Sequence, residues 1–130
     1  KTSGGKYIAP AVLESELKQS RFIEQVMIIG ESEKMPAALI QVNFDFAKEW
    51  AVRKKLPVDS IITHERFINR IQKEIDFYNQ RFGKWEQIKK FEITPDEWSI
   101  EEGLLTPTMK MKRKVIKEKY KNLYQKIFNS

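Results

Sequence analysis

The feature that most constrains this chain is a pair of apolar runs set close together. Val26-Met27-Ile28-Ile29 is ended by Gly30, and Ala37-Ala38-Leu39-Ile40-Gln41-Val42 follows after the polar link from Glu31 to Pro36. Compact apolar runs of this length read as strands, and a link this short predicts a hairpin between them. A third strand is predicted over Ile88 to Thr94, followed by Pro95 and a polar loop.

Helical signals surround the strands. Pro10 suits the first turn of a short helix whose stripe is Leu13 and Leu17. Asn43 is placed to cap a helix running through Phe46, Trp50 and Lys54. The clearest helix starts near Thr63 or His64. Phe67, Ile68, Ile71, Ile75, Tyr78 and Phe82 recur at threes and fours, and Gly83 stops it. Thr106 precedes Pro107, which biases it away from helix, so a last helix is expected just after. Met111, Val115, Tyr120, Leu123, Ile127 and Phe128 form its apolar side. The order α, β, β, α, α, β, α predicts an α+β domain, a small sheet with helices packed on it. At 130 residues, it is expected to be one domain over 1–130.

The residue inventory excludes several chemistries. The chain has no cysteine, so disulfides, thiolate nucleophiles and zinc-thiolate sites are ruled out. His64, the one histidine, sits at a predicted helix start and reads as a surface residue there, and no metal site is expected. Asp76 and Glu74 face solvent by periodicity, and Asp96, Glu97, Glu101 and Glu102 read as a solvated acidic loop. No apolar run approaches the ~20 residues that span a bilayer, and Lys1 to Lys6 is followed by no apolar stretch of a signal peptide. The first residue is not Met, so the chain is expected to be a piece whose ends need not be natural ones.

Lys and Arg number 24 against 18 Asp and Glu. The surplus lies near the C-terminus, where Lys110, Lys112, Arg113, Lys114, Lys117, Lys119, Lys121 and Lys126 are opposed by Glu118 alone. Such a segment suits nucleic acid, an anionic membrane surface or a phosphate-bearing substrate, and charge does not choose among them. Nucleic-acid binding favours exposed aromatics among the basic residues. Tyr120 and Tyr124 fit that role and fit the buried stripe as well. From periodicity alone the chain is a basic α+β domain.

Two segments carry a resemblance. Lys1-Thr2-Ser3-Gly4-Gly5-Lys6-Tyr7-Ile8-Ala9-Pro10, followed by Glu14, resembles the second half of the hinge motif of adenylate-forming enzymes. That superfamily holds acyl-CoA ligases, luciferases and peptide-synthetase adenylation domains. Gly103-Leu104-Leu105-Thr106-Pro107-Thr108-Met109-Lys110-Met111-Lys112-Arg113 resembles the superfamily's final motif in its long-chain fatty acid–CoA ligase form, where many relatives that activate smaller acids have Ser-Gly-Lys. The stretches Phe22 to Gln25 and Phe82 to Phe91 resemble the same subgroup.

The resemblance implies the mobile C-terminal domain of an AMP-forming long-chain fatty acid–CoA ligase, whose N-terminal adenylation domain holds the nucleotide and acyl pockets. It implies fatty acid, ATP and CoA as substrates and Mg²⁺ in the full-length enzyme. No tight binding of these to the fragment is expected. By that match Lys110 is the adenylation lysine, with Lys112 and Lys114 its neighbours in register. Lys1, Gly4, Gly5 and Lys6 match the segment that faces CoA during thioester formation. The location implied is cytoplasmic, with peripheral contact between the basic face and anionic membrane left open. The rival readings are a ligase for a different acid, a stand-alone basic module for nucleic acid, and a structural adaptor.

Overall fold

The computed structural model describes residues 9–30, Glu33 and residues 35–129. The two apolar runs are strands β1 (Ile23–Ile29) and β2 (Ala37–Val42), paired antiparallel. Strand β3 (Lys90–Ile93) joins the other side of β2 in parallel, which gives the order β1-β2-β3. The helices are α1 (Pro10–Leu17), α2 (Phe44–Arg53), α3 (Glu65–Asn79), α4 (Arg113–Lys119) and α5 (Lys121–Asn129).

The period-2 alternation of strand side chains divides the sheet between two cores. Val26, Ile28, Ala38 and Ile40 point to one face and pack with Leu13 and Leu17 of α1, Trp50 of α2, and Phe67, Ile71 and Ile75 of α3. Met27, Ile29, Ala37 and Leu39 point to the other, against Trp98, Leu104, Leu105, Ile116, Tyr120 and Ile127. Every β2 residue is buried, because the strand is covered on both faces and flanked on both edges. The first core is centred on aromatic edges: Phe22 meets Phe46 at 4.9 Å and Phe67 at 6.0 Å, and Trp50 meets Phe67 at 5.5 Å, all T-shaped.

Local chemistry sets the helix boundaries. Asn43 caps α2 as expected, its Oδ1 accepting from Phe46 N–H at 3.0 Å. His64 caps α3, with Nδ1 accepting from Arg66 N–H at 3.1 Å. Ile68, expected in the α3 stripe, lies at its edge and is 37% exposed. Glu74 does not simply face solvent. It pairs with Arg70 at 2.7 Å and accepts from Ser20 Oγ at 2.5 Å, which ties α3 to the turn after α1.

Two sequence expectations are corrected. The third strand begins at Lys90, because the backbone of Ile88 is already occupied by the amide of Asn79: Ile88 N–H donates to Asn79 Oδ1 at 2.8 Å and Asn79 Nδ2 donates to Ile88 O at 2.9 Å. The last helix does not follow Pro107 directly and is not continuous. It starts at Arg113, leaves helical geometry at Tyr120 and resumes at Lys121. Ile116 is the buried residue of α4, whereas Val115 is 43% exposed. Tyr120 is fixed by stacking on Trp98, at 6.3 Å between centroids, and by donating to Asp96 Oδ2 at 3.3 Å. Helical periodicity does not encode either contact.

Gly30 ends β1 with φ +128°, and a Cβ there would stand 2.5 Å from Met35 O. Gly30→Ala is expected to cost about 1–3 kcal/mol, read by urea unfolding of the domain.

Burial first, then the Asp96 charge, pushes the Tyr120 hydroxyl from its ordinary 10.0 up to about 12. Burial first, then a hydrogen bond to Glu33 at 3.0 Å, pushes Tyr124 up to about 12 as well. The folded state therefore holds these protons more tightly than the unfolded chain. Their contribution is complete below pH 10 and is lost as pH climbs toward about 12. The melting temperature should fall across that window, and Tyr120→Phe, which keeps the ring but removes the proton, should flatten the fall.

Candidate functional site

The segment that leads to Lys110 is anchored before it turns. The buried Gln41 side chain on β2 accepts from Trp98 N–H at 2.8 Å. Trp98 Nε1 donates to Thr94 Oγ1 at 3.0 Å, and Thr94 Oγ1 donates to Ile40 O at 3.2 Å. This fixes the acidic loop to the central strand. Leu104 and Leu105 follow it and are fully buried, with both amides donating to Ser99 O.

The chain then reverses in a tight loop. Leu105 and Met111 form an antiparallel bridge, and Lys112 N–H donates to Leu104 O at 2.9 Å. Inside that bridge Thr106 N–H donates to Lys110 O at 2.8 Å, and Met109 N–H donates to Thr106 O at 2.7 Å. The Thr106 hydroxyl closes the loop. It accepts from Lys110 N–H at 3.0 Å and lies 3.1 Å from Thr108 Oγ1. Pro107 lacks an N–H and fixes φ, so it suits the turn. These antiparallel bonds take up the backbone groups that a helix beginning here would need.

Lys110 thus stands at the end of a loop held by five hydrogen bonds across its base and tip, with an exposed side chain. Its ammonium has no carboxylate partner among the described residues, whereas Lys119 and Lys126 are paired with Asp96 and Glu92. Lys112 and Lys114 are exposed too, but they lie beyond the bridge, at the start of α4. Lys1, Gly4, Gly5 and Lys6 lie outside the described residues.

Two features of this region are set by the fold and not by local pattern. The first is Met109, which holds φ 67° in the left-handed region that favours glycine. The second is Glu14, buried on α1. Its carboxylate takes the Arg113 guanidinium in two bonds of 2.6 and 2.8 Å, and Oε2 also accepts from Ile28 N–H at 2.7 Å. The hydrogen bond to Glu14 is the main reason the Arg113 pKa is raised. A groove lined by Glu14, Lys18, Gln25, Met109, Lys110 and Arg113 runs between α1 and the loop.

The model of the AMP-binding enzyme C-terminal domain matches residues 2–130. The chain belongs to this family. It is 34% identical to a long-chain fatty acid–CoA ligase of Mycobacterium tuberculosis over 98% of its own length and 22% of the relative's. It is 31% identical to fatty acyl-CoA synthetase B of Dictyostelium discoideum, over 99% of the chain and 20% of the relative. The chain therefore spans about a fifth of the curated relatives it matches. Among solved structures, its fold is that of part of the adenylation domain of a carboxylate reductase from Mycobacterium chelonae, at TM-score 0.81 and 20% identity, covering all of the chain and 19% of that structure. The adenylation and carrier didomain of the Segniliparus rugosus reductase, solved with AMP, matches at TM-score 0.80 and 18% identity, over 99% of the chain and 17% of that structure.

In this AMP-binding enzyme C-terminal domain, Lys110 thus stands on a loop whose preceding residue, Met109, is strained. A left-handed non-glycine residue costs about 1–2 kcal/mol, and more when β-branched. Met109→Val is expected to lower stability by about 1 kcal/mol, whereas Met109→Gly should leave it near the starting value because strain relief offsets the entropy that glycine adds to the unfolded chain. Urea midpoints of the two variants decide this.

Proposed function

We propose that this domain is the mobile C-terminal part of an AMP-forming long-chain fatty acid–CoA ligase. The observation that carries the reading is an exposed lysine without a carboxylate partner on a tightly bonded loop, in a chain 34% identical over nearly its whole length to such a ligase. The parent reaction has two steps. A fatty acid carboxylate oxygen attacks the α-phosphate of ATP and expels pyrophosphate. The CoA thiol then attacks the acyl carbonyl and expels AMP.

The arrangement of Lys110 suits the first step. Negative charge builds on the phosphate oxygens and on departing pyrophosphate, and an ammonium delivered into a closed site stabilises it. Lys, a compact charge on a flexible stem, suits delivery from a moving domain. Magnesium would supply further charge neutralisation at the phosphates. We assign its ligands, with the nucleotide pocket, to the N-terminal adenylation domain of the proposed parent enzyme. Lys1, Gly4, Gly5 and Lys6 are assigned to the CoA step, where glycines permit close backbone approach.

The nucleic-acid alternative finds no support. Tyr120 is buried, and Tyr124 is half-buried and bonded to Glu33, so neither offers a free ring for base stacking. We place the parent enzyme in the cytoplasm, with the basic α4–α5 face available to anionic lipid. No helix among the described residues is long and apolar enough to cross a membrane.

In the full-length ligase, Lys110→Ala should slow acyl-adenylate formation about 10²–10³-fold. CoA transfer from supplied acyl-adenylate should stay near wild type, since that step builds no charge beside Lys110. Lys112→Ala and Lys114→Ala should leave both steps largely intact. Equal loss in both half-reactions, or the adenylation defect appearing with Lys112→Ala instead, would overturn the assignment.

A further inference from the structure

We propose that Glu14 and Arg113 are positioning residues for Lys110, acting on adenylation through the aim of the loop; the inference rests on the proposed role of Lys110. Arg113 lies three residues after Lys110, just past the Leu105–Met111 bridge, and is the first residue of α4. Its guanidinium is 45% exposed, yet its two bonds end on a carboxylate only 6% exposed. That carboxylate is itself fixed, because Oε2 accepts from Ile28 N–H at 2.7 Å. The loop therefore has two anchors. Leu104 and Leu105 bury its incoming limb in the second core. Glu14 reaches across from the first core, where its helix is packed, and holds the outgoing limb.

The chemistry of the pair favours a geometric purpose. A buried ion pair is weak evidence for stability, because the desolvation of two charges offsets much of their attraction. A planar, bidentate contact does fix direction, since two parallel bonds leave the guanidinium little freedom to swing. Lys110 is on a flexible stem, so the aim of its ammonium depends on the backbone that carries it. A small misplacement of a catalytic group costs heavily: about 1 Å is worth about 10²-fold in rate.

The test uses the full-length ligase and measures both half-reactions for Glu14→Gln and Arg113→Lys, each alone and combined with Lys110→Ala. Glu14→Gln keeps the shape and an acceptor for Ile28 N–H but loses the charged bidentate contact. Arg113→Lys, at a half-exposed position, keeps the charge without the fork, and melting curves verify that each variant is folded. The expected result is a drop of about 10–100-fold in the rate constant for adenylation, with CoA transfer near wild type. Neither substitution should slow adenylation further once Lys110 is Ala, because a positioning residue has nothing left to position. Arg113→Lys should retain more activity than Arg113→Ala. If Glu14→Gln slows both half-reactions alike, or if its effect persists undiminished beside Lys110→Ala, the pair is merely structural and the proposal fails while the role of Lys110 stands. If Lys110→Ala leaves adenylation unchanged, the role of Lys110 fails and the positioning role fails with it.

Discussion

The whole domain depends on burying strand β2 from both sides. Its six residues are covered completely, so neither face tolerates water and each demands its own set of partners. One face recruits α1, α2 and α3 through Ile40, Ala38 and Val42. The other recruits Leu104, Leu105, Ile116 and Ile127 through Leu39 and Ala37. Fully burying an aliphatic side chain contributes about 1.5–3 kcal/mol, so the strand joins two cores, neither of which could be removed without exposing the other's backing.

The loop that carries Lys110 inherits its rigidity from that arrangement. β2 supplies the acceptors that hold Trp98 and Thr94, and these hold the segment from which Leu104 and Leu105 enter the second core. The loop's other limb is held through Glu14 by the first core. Lys110 is thus suspended between two cores on opposite faces of one sheet, exposed itself but fixed at both ends. The role proposed for Lys110 calls for such fixity, because a small misplacement of a catalytic charge costs heavily in rate.

Much of the fold was legible because it rests on periodicity and punctuation. The two apolar runs are strands with nearly the boundaries that Gly30 and Pro36 suggest. Asn43 caps α2, and Phe67, Ile71 and Ile75 form the buried stripe of α3. The errors lie where a side chain replaces a backbone partner or a distant residue fixes a ring. Asn79 takes the strand bonds of Ile88, and Thr106 closes a turn where a helix was expected. Tyr120, held by Asp96 and Trp98, marks a helix break that its apolar spacing hides.

For the site, the order of residues from Gly103 to Arg113 carries the resemblance on which the proposal for Lys110 rests, since resemblance compares residues one by one along the chain. The sequence by itself determined the α+β class, the hairpin and the stripes of the helices, because each follows from spacing within a short window. Only the tertiary structure decided that Glu14 meets Arg113, 99 residues away, that Met109 is left-handed, and that β2 divides two cores. Those are contacts and angles between segments that approach one another only after the chain has folded, and no local pattern encodes a bond between residues so far apart.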